Sequence, residues 1–108
     1  MAFEKTSFDL GTLRLGQTVL IPLDIKDIQK KRFTVTLSCG SCTSFIQTEI
    51  ENFSSNGNTH FLTVKGDTLN LTFTPNSTGL NSKTAVVHYK DANNNDIAVT
   101  IQWYATVI

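Results

Sequence analysis

The sequence predicts an all-β protein: a single immunoglobulin-like antiparallel β-sandwich of seven or eight strands, with residues 1–108 forming one domain. Three observations predict it. Apolar residues alternate with polar ones at period two through most of the chain, and no useful length carries the 3.6-residue period of an amphipathic helix. Clusters of Gly, Pro, Asn, Asp and Ser interrupt the alternation at short intervals. The length of 108 residues is typical of one domain and is enough to bury a core, with no linker or internal repeat in it.

Taken in order, Ser7–Leu10 is a short first strand. In Thr18–Ile25, Val19, Ile21, Leu23 and Ile25 share one face; Pro22 lacks a backbone donor, so this strand belongs at an edge or a bulge. In Phe33–Cys39, Phe33, Val35, Leu37 and Cys39 alternate with Thr34, Thr36 and Ser38. Phe45–Ile50 and His60–Val64 are weaker strands. Leu69, Leu71 and Phe73 line one face of Thr68–Thr74, and Ala85, Val87 and Tyr89 one face of Lys83–Lys90. The strongest run is Ile97–Val107, with Ile97, Val99, Ile101, Trp103, Ala105 and Val107 together. Outward positions are mostly Thr, Asn and Ser, as suits one solvated face per sheet. The turns fall at Leu15-Gly16-Gln17, Ser54–Thr59, Pro75–Gly79 and Asp91–Asp96.

Lys plus Arg and Asp plus Glu both number 9, so the net charge is zero. A nucleic-acid binder is usually strongly basic, and that class is not expected. A neutral chain has little colloidal repulsion and suits a packed assembly. The opening MAFEKTSFDLG holds no apolar run long enough for a signal peptide, and no stretch approaches the ~18 apolar residues of a membrane span. A chain complete at Met1 is therefore expected in the cytosol where it is made; one trimmed at its N-terminus is expected in the bacterial periplasm or at the cell surface. The N-x-S/T triplets at Asn52, Asn70 and Asn76 carry no weight without secretion.

Phe8-Asp9-Leu10-Gly11 followed by Leu15-Gly16-Gln17 resembles the opening of the ASH/Hydin-type immunoglobulin-like domains. The bacterial branch of that family has an F-D-F-G…G-E opening and carries S-C-G-C-T after its third strand. This chain has Ser38-Cys39-Gly40-Ser41-Cys42-Thr43 there. The branch's F-x-P…G stretch is matched by Phe73-Thr74-Pro75 and Gly79. The match runs in order over most of the chain. Two features depart from it: Ser41 is an extra residue between the cysteines, and Trp103-Tyr104 stands where relatives commonly have Gly. The resemblance implies a sandwich fold and a binding or scaffolding role, with no catalytic residues.

Cys39 and Cys42 are the chain's only cysteines. A redox C-x-x-C opens a helix whose N-terminus lowers the first thiol's pKa; here strands flank the pair and no basic residue lies nearby. A structural zinc needs four ligands, and His60 and His88 do not supply the other two at a usable spacing. The favoured reading is a turn at a strand end, with Cys39 continuing the inward face and Gly40-Ser41 making the corner. A disulfide is geometrically possible, but the cytosol would keep it reduced. Asp91–Asp96 resembles the start of a calcium loop, yet its sixth position is Asp96 and its twelfth Gln102, so a hairpin turn is expected. No nucleophile, phosphate-loop or paired-carboxylate pattern appears.

Lys26–Arg32, KDIQKKR, carries net charge +3 and is either a solvated loop or a patch for an acidic partner. Tyr104, Thr106 and Ile108 form the face opposite Trp103, so the last strand is either central or covered by a partner. The expected contact residues are Lys26, Lys30, Lys31, Arg32, Tyr104, Val107 and Ile108. Catalytic, metal-binding and cofactor-binding residues are not expected. The sequence therefore predicts a non-enzymatic, protein-binding subunit of a larger assembly. Nucleic acid, membrane and small-molecule substrates are not expected partners. By fold analogy it reads as a bacteriophage virion component, a capsid decoration or head–tail protein assembled in the host cytoplasm. The alternative is a bacterial scaffold or cell-surface module cut from its signal and neighbouring domains; a redox or metal-handling protein using Cys39 and Cys42 is the third.

Overall fold

The computed structural model describes residues 6–24, 32–91 and 93–108. Two sheets face each other. The larger has six strands in the order β1-β9-β8-β3-β6-β5, and the smaller has three in the order β2-β7-β4. These are β1 (Ser7–Leu13), β2 (Val19–Asp24), β3 (Arg32–Leu37), β4 (Thr43–Phe45), β5 (Ile50–Asn56), β6 (Thr59–Val64), β7 (Thr68–Phe73), β8 (Gly79–Lys90) and β9 (Asp96–Val107). The immunoglobulin-like sandwich read from the sequence is the fold observed, with nine strands among the described residues.

Period-two alternation decides which side chains meet. Ile21 and Leu23 from β2, Leu69, Leu71 and Phe73 from β7, and Phe45 from β4 face the larger sheet. Val35, Leu37, Ala85, Val87, Ile101 and Trp103 face back. Phe73 and Trp103 meet edge to face across the sandwich with ring centroids 6.0 Å apart, an arrangement that suits the quadrupoles of two aromatic rings.

The structure corrects the sequence reading in three places and decides it in a fourth. First, β1 runs parallel to β9, whereas every other described pair is antiparallel. The first strand therefore closes the larger sheet beside the last. Second, of the two placements left open for the last strand, β9 takes the central one, because β1 flanks it on one side and β8 on the other. Its two-faced character reflects that central position. Third, the expected strand Phe45–Ile50 is divided into β4, a 3-10 turn at Gln47–Glu49, and β5. The Glu49 carboxylate accepts from the Asn70 side chain at 2.8 Å, and Lys65 N–H donates to Glu49 O at 2.9 Å. These bonds hold the turn across both sheets. Fourth, Ser54–Asn56 belongs to β5 rather than to a turn. The β5–β6 reversal is Gly57-Asn58 alone, with Gly57 at φ 64°, a conformation that favours glycine at the first position of a two-residue hairpin.

Pro22 lies on β2, an edge of the smaller sheet, where its missing donor breaks no ladder.

Candidate partner-contact surface

The outer face of the larger sheet ends in an uncharged apolar patch. Leu80 on β8 pairs with Thr106 on β9, and Ser82 pairs with Tyr104. Directly paired residues share a face, and diagonal neighbours two positions away stay within side-chain reach. Leu80 therefore lies between Tyr104 and Ile108. Their exposures are 79% for Leu80, 67% for Ile108 and 37% for Tyr104. Leu15 is brought alongside by its N–H, which donates to Ile108 O at 3.1 Å, and its side chain is also exposed. Charge enters only at the β1 side. Asp9 pairs with Tyr104 there, and exposed Arg14 follows β1. An apolar centre with a polar rim is the anatomy of a protein interface.

Of the expected contact residues, Tyr104 and Ile108 share this patch. Val107 does not: it is 2% exposed and packs in the core, because it shares the inward parity of Ala105 and Trp103. Lys26, Lys30 and Lys31 lie outside the described residues. Arg32, at the start of β3, lines an open groove of about 1120 Å³ at the other end of the same sheet, together with Phe61, His88 and Lys90. The structure thus places Arg32 apart from Tyr104 and Ile108.

Leu80 was missed because the alternation stops at Asn81, a polar residue in an inward position. Asn81 is 3% exposed. Its side-chain amide donates to Ser77 O at 3.0 Å and Gly79 O at 3.2 Å. Buried there, it holds the turn that starts β8 and sets Leu80 facing out. Gly79, at φ 97°, supplies the left-handed residue that this turn needs.

The cysteine positions are also corrected. Cys42 is buried in the core, Cys39 packs against it only in part, and the two are joined as a disulfide with Cα atoms 5.6 Å apart. The alternation of β3 stops at Leu37. Ser38 N–H donates to Thr84 O at 3.0 Å, and Ser38 Oγ accepts from Thr84 N–H at 2.9 Å. The chain turns there, so Cys39 loses its inward register. A side chain at Gly40 would meet the Asn58 carboxamide, which would have to swing aside. Cys42 O accepts from Thr74 N–H at 2.8 Å, which fixes the crossover to the smaller sheet.

The β8–β9 reversal is a self-capped turn. Asp91 Oδ1 accepts from the N–H groups of Asn93 and Asn95, each at 2.9 Å, and Asn94 takes φ 63°. These bonds, that from Asn95 first, hold the Asp91 carboxyl below its usual value against the opposing effect of desolvation. Its lone pairs serve the turn. Among the described residues, no three His, Cys, Asp or Glu side chains are grouped to hold a metal ion.

A second aromatic cluster joins β4 of the smaller sheet to β5 and β6 of the larger. His60 lies 5.3 Å from Phe45 and 5.7 Å from Phe53, centroid to centroid. Both its ring nitrogens are closed off and have no hydrogen-bond partner among the described residues. Desolvation pulls its pKa below the usual 6.5.

No protein-family model and no curated protein matches this sequence. Solved structures do. The ASH/PapD-like domain of human CEP192 (PapD-like domain 7) superposes with a TM-score of 0.56 at 14% identity, covering 98% of this chain and 83% of that one. Amebosin, known from a solution structure, gives a TM-score of 0.45 at 13% identity, covering 96% and 98%. The first likeness shows that this chain has the immunoglobulin-like ASH/PapD-like sandwich fold.

Proposed function

We propose that this chain is a non-enzymatic protein-binding module whose partner seats on the Leu80, Tyr104 and Ile108 patch. The observation that carries the reading is Leu80: a leucine left 79% exposed beside a tyrosine and an isoleucine of β9, which holds no charge from Thr100 to Ile108. Contiguous exposed apolar groups of this kind mark interaction sites. The module is read as a subunit of a larger assembly, a bacteriophage capsid decoration or head–tail protein assembled in the host cytoplasm. Zero net charge supports this, since it lets many copies crowd together.

A second reading, a bacterial scaffold or cell-surface module, is favoured by the Cys39–Cys42 disulfide, because such bonds persist in oxidising compartments.

A photo-reactive residue at position 80, compared with one at Thr34 on the same face, tests the surface in the cell that makes the protein. One abundant protein cross-linked at position 80 and not at position 34 is the expected result. Labelling that is equal at both positions, or absent from both, overturns the surface. Co-sedimentation of the cross-linked product with a particle, or its extraction from the envelope, separates the two settings.

A further inference from the structure

The sandwich has four exposed strand edges among its described residues, and three are guarded. The edge strand β1 breaks register between Asp9 and Thr12, with Gly11 at φ 70°; a bulge of this kind spoils an edge for further pairing. The strand β2 carries Pro22 and ends in Asp24, and β4 is only three residues long. Proline, charge, bulges and shortness are the devices by which proteins keep edges from pairing.

The fourth edge, β5, is open. Its one irregularity and its one charge, Glu51, both fall at its start, between Ile50 and Asn52. From there Asn52-Phe53-Ser54-Ser55-Asn56 runs regularly against β6 with no charge and no proline. The two-residue turn makes Asn56 and Thr59 a hydrogen-bonded pair. Every second residue, Ser54 and Asn52, then also bonds to β6. Phe53 and Ser55 turn their N–H and C=O groups outward, and among the described residues no strand meets them. Phe53 is at the same time 41% exposed, on the inner face, where Phe45 of β4 meets its ring edge-on at 5.8 Å and leaves the rest of it open.

We propose that two copies of this chain join edge to edge through β5, antiparallel and centred on Ser54, into one continuous sheet. This interface lies apart from the Leu80 patch and does not depend on it. The outward groups dictate the register. Phe53 of one copy and Ser55 of the other exchange both main-chain bonds, as do Ser55 and Phe53, while the two Ser54 residues face each other across the two-fold axis. In that register the two Phe53 rings become diagonal neighbours on the inner face, within aromatic reach, and each covers apolar surface the other leaves open. The charge on β5, Glu51, lies outside the pairs that meet and falls opposite Gly57 of the other copy, so no like charges oppose. Such a two-fold contact is self-complementary. It is small, and interfaces well below about 1,200 Å² are weak.

Sedimentation equilibrium of the intact chain, from about 10 to 500 μM, reads this equilibrium. The wild type is expected to pass from monomer to dimer over that range and to stop there. Ser55→Pro removes one outward donor and leaves the β6 ladder whole. Ser54→Lys places two ammonium groups face to face on the axis. Both variants are expected to stay monomeric, with the far-UV spectrum of the wild type. If Ser55→Pro fails to fold, Ser54→Lys carries the same test. A wild type that stays monomeric to the top of the range overturns the proposal, leaving the edge to a strand of another protein. A dimer retained by folded Ser54→Lys also overturns it.

Discussion

Phe53 stacks on His60, with ring centroids 5.7 Å apart and planes inclined by 24°. Burial of the imidazole, against Phe45 as well as Phe53, desolvates it, and its folded-state pKa lies below the ordinary 6.5. The sign follows directly. Above that ordinary value both folded and unfolded chains hold the ring neutral. Below it the unfolded chain takes up a proton that the folded chain resists, so stability falls as pH drops from the unfolded value toward the folded one. Denaturant melts from pH 7.5 to 5 should show this loss, no steeper than about 1.4 kcal/mol per pH unit for one proton. His60→Phe should flatten the profile; an unchanged slope in that variant would count against the assignment.

The Cys39–Cys42 bond closes a four-residue loop. Loop-closure entropy for so short a ring is worth about 2 kcal/mol. Reduction, or either Cys→Ser variant, should lower the free energy of unfolding by roughly that amount. Cys42→Ser should lose more than Cys39→Ser, because a hydroxyl at position 42 enters the core while position 39 is only partly covered. Equal losses in the two variants would contradict this burial order.

Asn81→Ala should cost about 1–3 kcal/mol, the usual consequence of stranding buried hydrogen-bond acceptors, here Ser77 O and Gly79 O. Hydrogen exchange should quicken locally at the start of β8. If exchange quickens uniformly instead, Asn81 contributes to the core in general rather than to this turn.

Asp91 has a depressed carboxyl pKa because it accepts bonds from Asn95 and Asn93. Its contribution is complete above the unfolded carboxyl value and is lost as pH falls through the folded one. Asp91→Ala should therefore destabilise the protein at neutral pH and blunt its response to acid below about pH 4. Parallel acid limbs in the variant and the wild type would show that the turn does not depend on the charge.

The alternation of Ile97 through Val107 suffices to place β9 and its core side chains, because every inward residue there is apolar and most outward ones are polar. Pro22 likewise marks an edge through its own chemistry. Three things stay hidden in the sequence. The strand β5 buries only Ile50, so its remaining residues show no alternation and Ser54–Asn56 pass for a turn. Asn81 interrupts the pattern of β8 and conceals Leu80. Pairing direction is not a local property: nothing in Ser7–Leu13 encodes that its neighbour is β9 or that the two run parallel. The contact surface is the least legible, since it depends on which strands become neighbours.

That parallel pairing has a mechanical side. Ser7 lies beside Gln102 and Leu13 beside Val107, so a pull applied at Ser7 and Ile108 in opposite directions drags β1 and β9 past each other along their common axis. The rungs between them share the load and must give way together, where strands peeled from one end would yield one rung at a time. A sandwich loaded through these two points resists stretching by shear, a useful property for any subunit that transmits tension between its neighbours.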